Sequence, residues 1–357
     1  MLNFAVGPVM MDEKIREIGA QEIPYFRTSE FSSLMKENEN MILKFFNAPK
    51  NSKVIFLTTS GTGAMESAVM NSFGENDKVL VVNGGSFGHR FVQICQIHNI
   101  QYEEIELQPG ETLKPLHLEK YESAGFTGFL VNLHETSTGV LYDIDLISKF
   151  CKRNNLFLIV DCISSFLADE FDMEKSGVNI AITGSQKALA VAPGIAIVVL
   201  DEFAIDRAKK SKVKSLYFNY ADYLSNMERG QTPFTPAVGI LIQINERLKN
   251  IDKNGLSFEI ERVRKQAEDF RNKIKQFKFT FFSENMSNAV TSLMVYGQLN
   301  AHKIFEILKD DYDIFVCPNG GSLGDKIFRV GHIGNLKPSD NDILINALLD
   351  MKERGLI

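Results

Sequence analysis

From Lys53 onward the chain alternates short, almost wholly apolar runs with stretches of helical period. This alternation constrains the fold more than any other feature. Val54-Ile55-Phe56-Leu57-Thr58, Lys78–Val82, Phe129–Asn132 and Phe157–Asp161 read as strands, while Ala64–Phe73, Phe91–His98 and Ile144–Asn154 read as helices. A strand that is apolar along its whole length carries apolar side chains on both faces, so both faces must be covered. Strands of that kind joined through helices predict a parallel sheet clothed on either side, an α/β fold. Two later apolar runs, Val178–Thr183 and Gly194–Leu200, extend the pattern. Ligands of such sheets sit beyond the carboxyl ends of the strands, so the polar residues found there are the candidates for function.

With 357 residues the chain can build a large core and two domains. A charged helical stretch, residues 236–277, follows the main pattern. The pattern then restarts on a smaller scale, with strands near Ala289–Val295, Ile314–Val316 and Ile327–Val330. The expected division is an N-terminal segment, 1–20, that packs on a neighbour, a large domain, 21–250, and a small C-terminal α/β domain, 251–357. A net charge of −6 gives no electrostatic reason for a nucleic acid or an anionic membrane as partner. No apolar run approaches the roughly 20 residues that span a bilayer. The four cysteines, Cys95, Cys151, Cys162 and Cys317, have neither metal spacing nor the density of a disulfide scaffold. Met1 to Glu13 contains no basic region of a signal peptide. A reducing cytoplasm is the expected setting.

Lys187, in Gly184-Ser185-Gln186-Lys187-Ala188-Leu189, lies between two of the apolar strands. A desolvated amine loses its charge more readily and becomes a nucleophile; the alternative is a surface loop lysine. Asp161 ends the Phe157–Asp161 strand, where it is either functional or a cap. An aspartate, then a lysine on a later strand, is the pair that pyridoxal-phosphate chemistry uses. The lysine holds the aldehyde as a Schiff base, and the carboxylate keeps the pyridine nitrogen protonated.

Thr59-Ser60-Gly61-Thr62-Gly63-Ala64 follows the first strand and opens a helix. Glycines there let backbone N–H groups approach an anion, which makes the segment a phosphate cradle or a plain glycine-rich turn. Asn83-Gly84-Gly85-Ser86-Phe87-Gly88-His89-Arg90 holds Phe87 in a glycine-rich loop. Phe87 either stacks on a flat ring or is one more core residue among 27 phenylalanines. His89 is the weaker stacking candidate. Ser137, in His134-Glu135-Thr136-Ser137-Thr138-Gly139, bonds either cofactor and substrate oxygens or its own turn. Arg329, in Phe328-Arg329-Val330-Gly331, offers a guanidinium fork to a substrate carboxylate or makes a structural ion pair.

Together, Gly184-Ser185-Gln186-Lys187-Ala188-Leu189, Val160-Asp161, Ser137-Thr138-Gly139-Val140-Leu141 and Arg329-Val330-Gly331 resemble the class V aminotransferases. These are pyridoxal-phosphate enzymes of fold type I. The resemblance is to the alanine–glyoxylate, serine–pyruvate and 2-aminoethylphosphonate–pyruvate transaminase group, and it runs from Val6-Gly7-Pro8 to the arginine strand. It implies a large domain with a mostly parallel seven-stranded sheet and a smaller C-terminal α/β domain. It implies that Lys187 carries pyridoxal 5'-phosphate and that Asp161 pairs with the ring nitrogen. Ser60, Gly61, Thr62 and Gln186 would bind the phosphate, Phe87 would stack on the ring, and Ser137, Gly7 and Arg329 would meet the substrate. It also implies a homodimer in which Thr232-Pro233-Phe234-Thr235-Pro236 reaches the neighbouring subunit's phosphate, with Thr235 the better match of the two threonines. The segment before Phe87 is one residue longer than in the alanine–glyoxylate form, and Cys162 stands where a serine is common. Arg27 matches the arginine of a family arginine-serine-glutamate-phenylalanine motif.

The implied reaction moves an amino group from a small donor of the alanine, serine or 2-aminoethylphosphonate type to a 2-oxo acid such as pyruvate or glyoxylate, in ping-pong order. A cysteine desulfurase or lyase of the same fold needs a cysteine near the substrate. Against it stand the separation of Cys317 from Arg329, only 12 positions, and Gln186 in place of a histidine before the lysine. A non-catalytic, cofactor-binding regulatory protein is opposed by the absence of a basic helix-turn-helix extension and by the filled catalytic positions. A nucleotide-binding enzyme rests on the glycine loop alone, which lacks the P-loop lysine.

Overall fold

The computed structural model describes residues 1–296 and 300–357 of the chain. Its centre is a seven-stranded sheet. The strands in chain order are β1 (Lys53–Leu57), β2 (Lys78–Asn83), β3 (Gln101–Glu106), β4 (Gly128–Asn132), β5 (Phe157–Asp161), β6 (Ile180–Gly184) and β7 (Ala196–Leu200). In space they run β1-β7-β6-β5-β4-β2-β3. Strands β3, β2, β4, β5 and β6 pair in parallel, and β7 is antiparallel to both β6 and β1.

Successive side chains of these strands go to opposite faces, which is why continuous apolar runs are needed. Leu80 and Val82 join one core with Phe129, Val131, Leu158 and Val160. Val79 and Val81 join the other with Ile55, Leu130, Ile159 and Ile182. Helix α1 (Ser29–Phe45) supplies Phe31, Met35, Ile42 and Phe45 to the first face. Helices α2 (Gly61–Ser72) and α3 (Ser86–Ile97) supply Met65, Val69, Phe91 and Val92 to the second. Strand β3 was not among the expected strands. It reads Gln-Tyr-Glu-Glu-Ile-Glu and is mostly exposed, so it has no apolar run to mark it. It occupies one edge, where charge discourages further pairing.

Helix α4 (Ile144–Arg153) leads into β5. The helical stretch expected over 236–277 comprises two helices, α5 (Val238–Asn254) and α6 (Leu256–Ile274). Gly255 separates them with φ +95°, a conformation that side chains other than hydrogen rarely adopt. Beyond α6 lies an antiparallel sheet of β8 (Thr280–Phe281), β9 (Val290–Met294), β10 (Cys317–Pro318) and β11 (Ile327–Gly331), in the order β8-β9-β11-β10. Its core includes Phe270, Leu293, Ile304, Phe328 and Leu344. Phe4 belongs to this core too, and Leu2–Asn3 pairs in parallel with Ile314–Phe315 of the same chain. The N-terminal segment is thus held by the C-terminal layer and leads from there into the site. The two layers are joined by Asp169, which accepts hydrogen bonds from Ser287 Oγ and from the Asn288 N–H (2.8 Å). Among the described residues no helix is long and apolar enough to cross a membrane.

Candidate active site

Lys187 lies just past the carboxyl end of β6, in a loop closed at its base by Ser185 N–H donating to Ile195 O at 2.9 Å. Its Nζ donates to Val6 O at 2.6 Å. A Cβ on Gly7 would stand 2.6 Å from Lys187 Cδ, and Gly7 has φ +131°. Glycine is therefore what lets the N-terminal segment pass so close to the amine. Burial lowers the basicity of Lys187, Arg329 and Arg90 lower it further, Cys317 and Asp161 oppose them, and the result is about 8.

Asp161 is buried at the end of β5 and accepts a hydrogen bond from the Ile163 N–H at 2.7 Å. Among the described residues its other carboxyl oxygen accepts nothing. Burial raises its pKa to about 7, against the pull of the Ile163 N–H and of Lys187 and Arg90, with Glu135 adding to the rise. Ile163 packs against Gly61, which brings the start of α2 to the same end of the sheet. Ser60 caps that helix in backbone conformation, but no side chain bonds its first N–H groups. Thr62 is half-buried, and Ser60 is exposed.

Phe87 and His89 do not lie in a loop. Helix α3 starts at Ser86, so both sit in its first turns. The reason is a partner outside the segment. Glu135, fully buried, accepts from the N–H of Phe87 (3.3 Å), from the N–H of Gly88 (2.9 Å) and from Asn132 Nδ2 (2.9 Å). Ser137 Oγ accepts from the Ser86 N–H at 3.1 Å and donates to Glu135. Phe87 is half-buried, with the Arg90 guanidinium 4.9 Å from its ring centroid. Sequence reading missed Glu135. No local feature marked it: it lies beyond the end of β4, and the Gly88 N–H that it holds is 47 positions earlier in the chain.

Arg329, on β11, is 8% exposed. It donates from Nη1 to Thr136 O (2.9 Å) and from Nη2 to Pro318 O (2.9 Å) and Cys317 Sγ (3.1 Å). None of these acceptors is a carboxylate, and among the described residues Nε has no partner. Cys317 lies directly opposite Arg329 in the β10–β11 pairing. The short separation along the chain therefore does not hold the thiol away from the arginine: the hairpin folds it back onto it. His134 is a second residue that the sequence did not mark. Both of its ring nitrogens are buried without partners among the described residues, and burial, helped by Lys187, Arg329 and Arg271, lowers its pKa to about 3, so the ring is neutral.

The remaining candidates are less central. Gln186 is half-buried, and its carbonyl accepts from the Val9 N–H at 3.3 Å. Thr235 is exposed on the chain's surface. Arg27 donates to Gln231 Oε1 (3.2 Å), Thr232 O (2.9 Å) and Pro233 O (3.3 Å), so it is engaged in holding the segment that carries Thr235.

An amine of lowered basicity, a buried acid with one unbonded oxygen, an uncapped helix N-terminus and a buried cation without an acidic partner share one end of the sheet. Pyridoxal phosphate, with its aldehyde, ring nitrogen and phosphate, fits the first three of these groups, and the fourth is left for a substrate anion.

Comparison with known proteins agrees with this chemistry. The family model described as aminotransferase class-V matches residues 24–324. The soluble hydrogenase 42 kDa subunit of Anabaena cylindrica is 32% identical over 89% of this chain and 84% of its own length. The L-aspartate–glyoxylate aminotransferase of Paracoccus denitrificans is 28% identical over 93% of this chain and 86% of its own. The crystal structure of an aspartate aminotransferase from Thermus thermophilus superposes with a TM-score of 0.92, at 24% identity and 99% coverage of both chains. With the match spanning most of its length, the chain belongs to the class-V aminotransferase family and is a pyridoxal-phosphate-dependent transaminase.

Proposed function

We propose that this transaminase takes its amino group from a small amino acid of the alanine, serine or aspartate kind and gives it to a small 2-oxo acid such as glyoxylate or pyruvate. The observation that carries this reading is the buried Arg329, a cation with no carboxylate partner among the described residues, on the same site as Lys187 and Asp161. A guanidinium so placed suits the carboxylate shared by amino acids and 2-oxo acids. The aspartate–glyoxylate relative adds support for that pairing. A 2-aminoethylphosphonate donor finds less support. Arg27 is spent on backbone carbonyls, and Arg90 lies over Phe87.

Lys187 would hold the cofactor aldehyde, Asp161 the ring nitrogen, and the N–H groups of Gly61 and Thr62, with Ser60 and Gln186, the phosphate. Phe87 and Ser137 would flank the ring. Pyridoxal phosphate, when bound, supplies the electron sink that lets a Cα–H bond ionise. Lys187 then takes the proton from the substrate Cα and returns it on the other side of the transfer. Asp161 keeps the ring nitrogen protonated throughout, and Arg329 fixes the carboxylate so that the Cα–H faces the amine. A homodimer, in which Thr235 reaches the partner's phosphate, belongs to the same proposal; an exposed Thr235 on a segment pinned by Arg27 suits it.

The test is a screen of alanine, serine, aspartate and 2-aminoethylphosphonate against pyruvate and glyoxylate. At least one amino acid should support turnover that depends on the oxo acid. Lys187→Ala should abolish it, and Arg329→Gln should raise KM for the acids by about 30-fold, the weight of a lost charge-assisted bond of about 2 kcal/mol. Turnover retained in Lys187→Ala, or supported only by the phosphonate, would sink the assignment.

A further inference from the structure

We propose that Cys317 is a modification site built into the substrate-carboxylate pocket: its thiol holds one arm of Arg329 until an acid displaces it, and carboxylate-bearing alkylating agents are guided onto its sulfur. The proposal rests on the reading of Arg329 as a carboxylate anchor and adds a thiol to it.

Three observations meet at this sulfur. The β10–β11 register sets Cys317 directly across from Arg329, and Arg329 Nη2 lies 3.1 Å from Cys317 Sγ. Arg329 is more than nine-tenths buried, its Nε is unpartnered among the described residues, and its acceptors are two carbonyls and the thiol. A buried cation left without an anion marks a place for one. Cys317 is also second only to burial among the influences on the Lys187 amine, so it stands within electrostatic reach of both cations. Cysteines 95, 151 and 162 are different. All three are buried, and burial raises Cys95 to about 12 and pushes the other two up as well, which leaves them inert. Cys317 alone of the four is half-buried rather than buried.

Iodoacetate combines the two requirements. Its carboxylate can replace the thiol on Nη2 of Arg329, which leaves its methylene beside Sγ. The thiol gives its proton to solvent, the sulfur attacks the methylene, a C–S bond forms, the C–I bond breaks and iodide leaves. Iodoacetamide has the same reactive carbon without the anion. On an ordinary surface thiolate of an acidic protein the neutral reagent has no disadvantage, because like charges repel the anionic one.

Holoenzyme saturated with pyridoxal phosphate should be treated with each reagent and the label located by peptide mass mapping against time. Cys317 should be alkylated by iodoacetate about 10-fold faster than by iodoacetamide, or more, because docking raises the local concentration of the reactive carbon. Arg329→Gln should bring the ratio to one or below. Propionate, an unreactive acid of similar size, should slow iodoacetate in the unsubstituted protein, which keeps the test informative if the Arg329 variant fails to fold. A ratio at or below one in that protein, labelling indifferent to saturating propionate, or label on another cysteine overturns the proposal. The mapping reads no turnover, so the outcomes separate. A working transaminase with a ratio of one loses only this inference. A tenfold ratio without turnover keeps the thiol site and removes the donor–acceptor pairing.

Discussion

An amine attacks an aldehyde carbon only as the neutral base, so the protein must favour the uncharged form of Lys187 near neutral pH. Burial does most of this, and Arg329 and Arg90 add to it, bringing the group to about 8 against the opposing influence of Cys317 and Asp161. The sign is fixed: raising the pH through 8 increases the neutral fraction, and above that value nothing further is gained. Capture of pyridoxal phosphate by cofactor-free protein, followed by stopped-flow absorbance, should accelerate about tenfold per pH unit below 8 and then level off. A rate still climbing at pH about 10 would mean that the amine keeps ordinary basicity and that desolvation does not prepare it. Lys187, Asp161 and Arg329 stood out as candidates in the sequence for the same physical reason. A charged residue at the end of, or inside, an apolar strand is costly and so stands out. Glu135, His134 and Cys317 carried no such mark. The environment of each is made by residues distant along the chain: Glu135 meets Gly88 across 47 positions, and Cys317 reaches Arg329 only because a hairpin returns.

At the scale of elements, six of the seven strands of the large sheet were legible, and the start of α3 was not. Apolar runs located β1, β2, β4, β5, β6 and β7, because a strand buried on both faces declares itself in every residue. Helix α3 was expected to begin at Phe91 and begins at Ser86, with Gly85 as its cap residue and no side-chain cap of its own. The free N–H groups of its first turn are met by Glu135 and Ser137 from the loop after β4. Local sequence cannot show a cap supplied from another strand. Glu135→Gln tests how much depends on this. The amide keeps the size but turns one acceptor into a donor facing either the Phe87 or the Gly88 N–H, since each bonds a different carboxylate oxygen. Unfolding in urea should show a loss of about 1–3 kcal/mol. Glu135→Asp, which keeps the charge but is one methylene short, should lose part of that. An unchanged midpoint in Glu135→Gln would mean that α3 does not need the acid to start where it does.

At the scale of the whole molecule, the chain brings nearly every part of its site to one end of the large sheet, including Gly7 from a segment held by the C-terminal layer. Thr235 is exposed, on a segment that Arg27 pins in place and that meets the end of β1 where the Ala237 N–H donates to Thr58 Oγ1. If that segment serves a partner's phosphate, each site draws on two chains, and two inactive variants can repair each other. Lys187→Ala removes the amine from its own chain's site. Thr235→Asp sets a negative charge where the partner's phosphate would lie, which spoils the partner's site and leaves its own amine intact. In a mixed dimer one site inherits both defects and the other inherits neither. Refolding the two variants together should therefore return about a quarter of the unsubstituted activity, since half of the dimers are mixed and each has one good site. Each variant refolded alone should stay inactive. If the mixture also stays inactive while the sedimentation of each variant remains that of the parent protein, each chain builds its site alone and the exposed threonine serves something else.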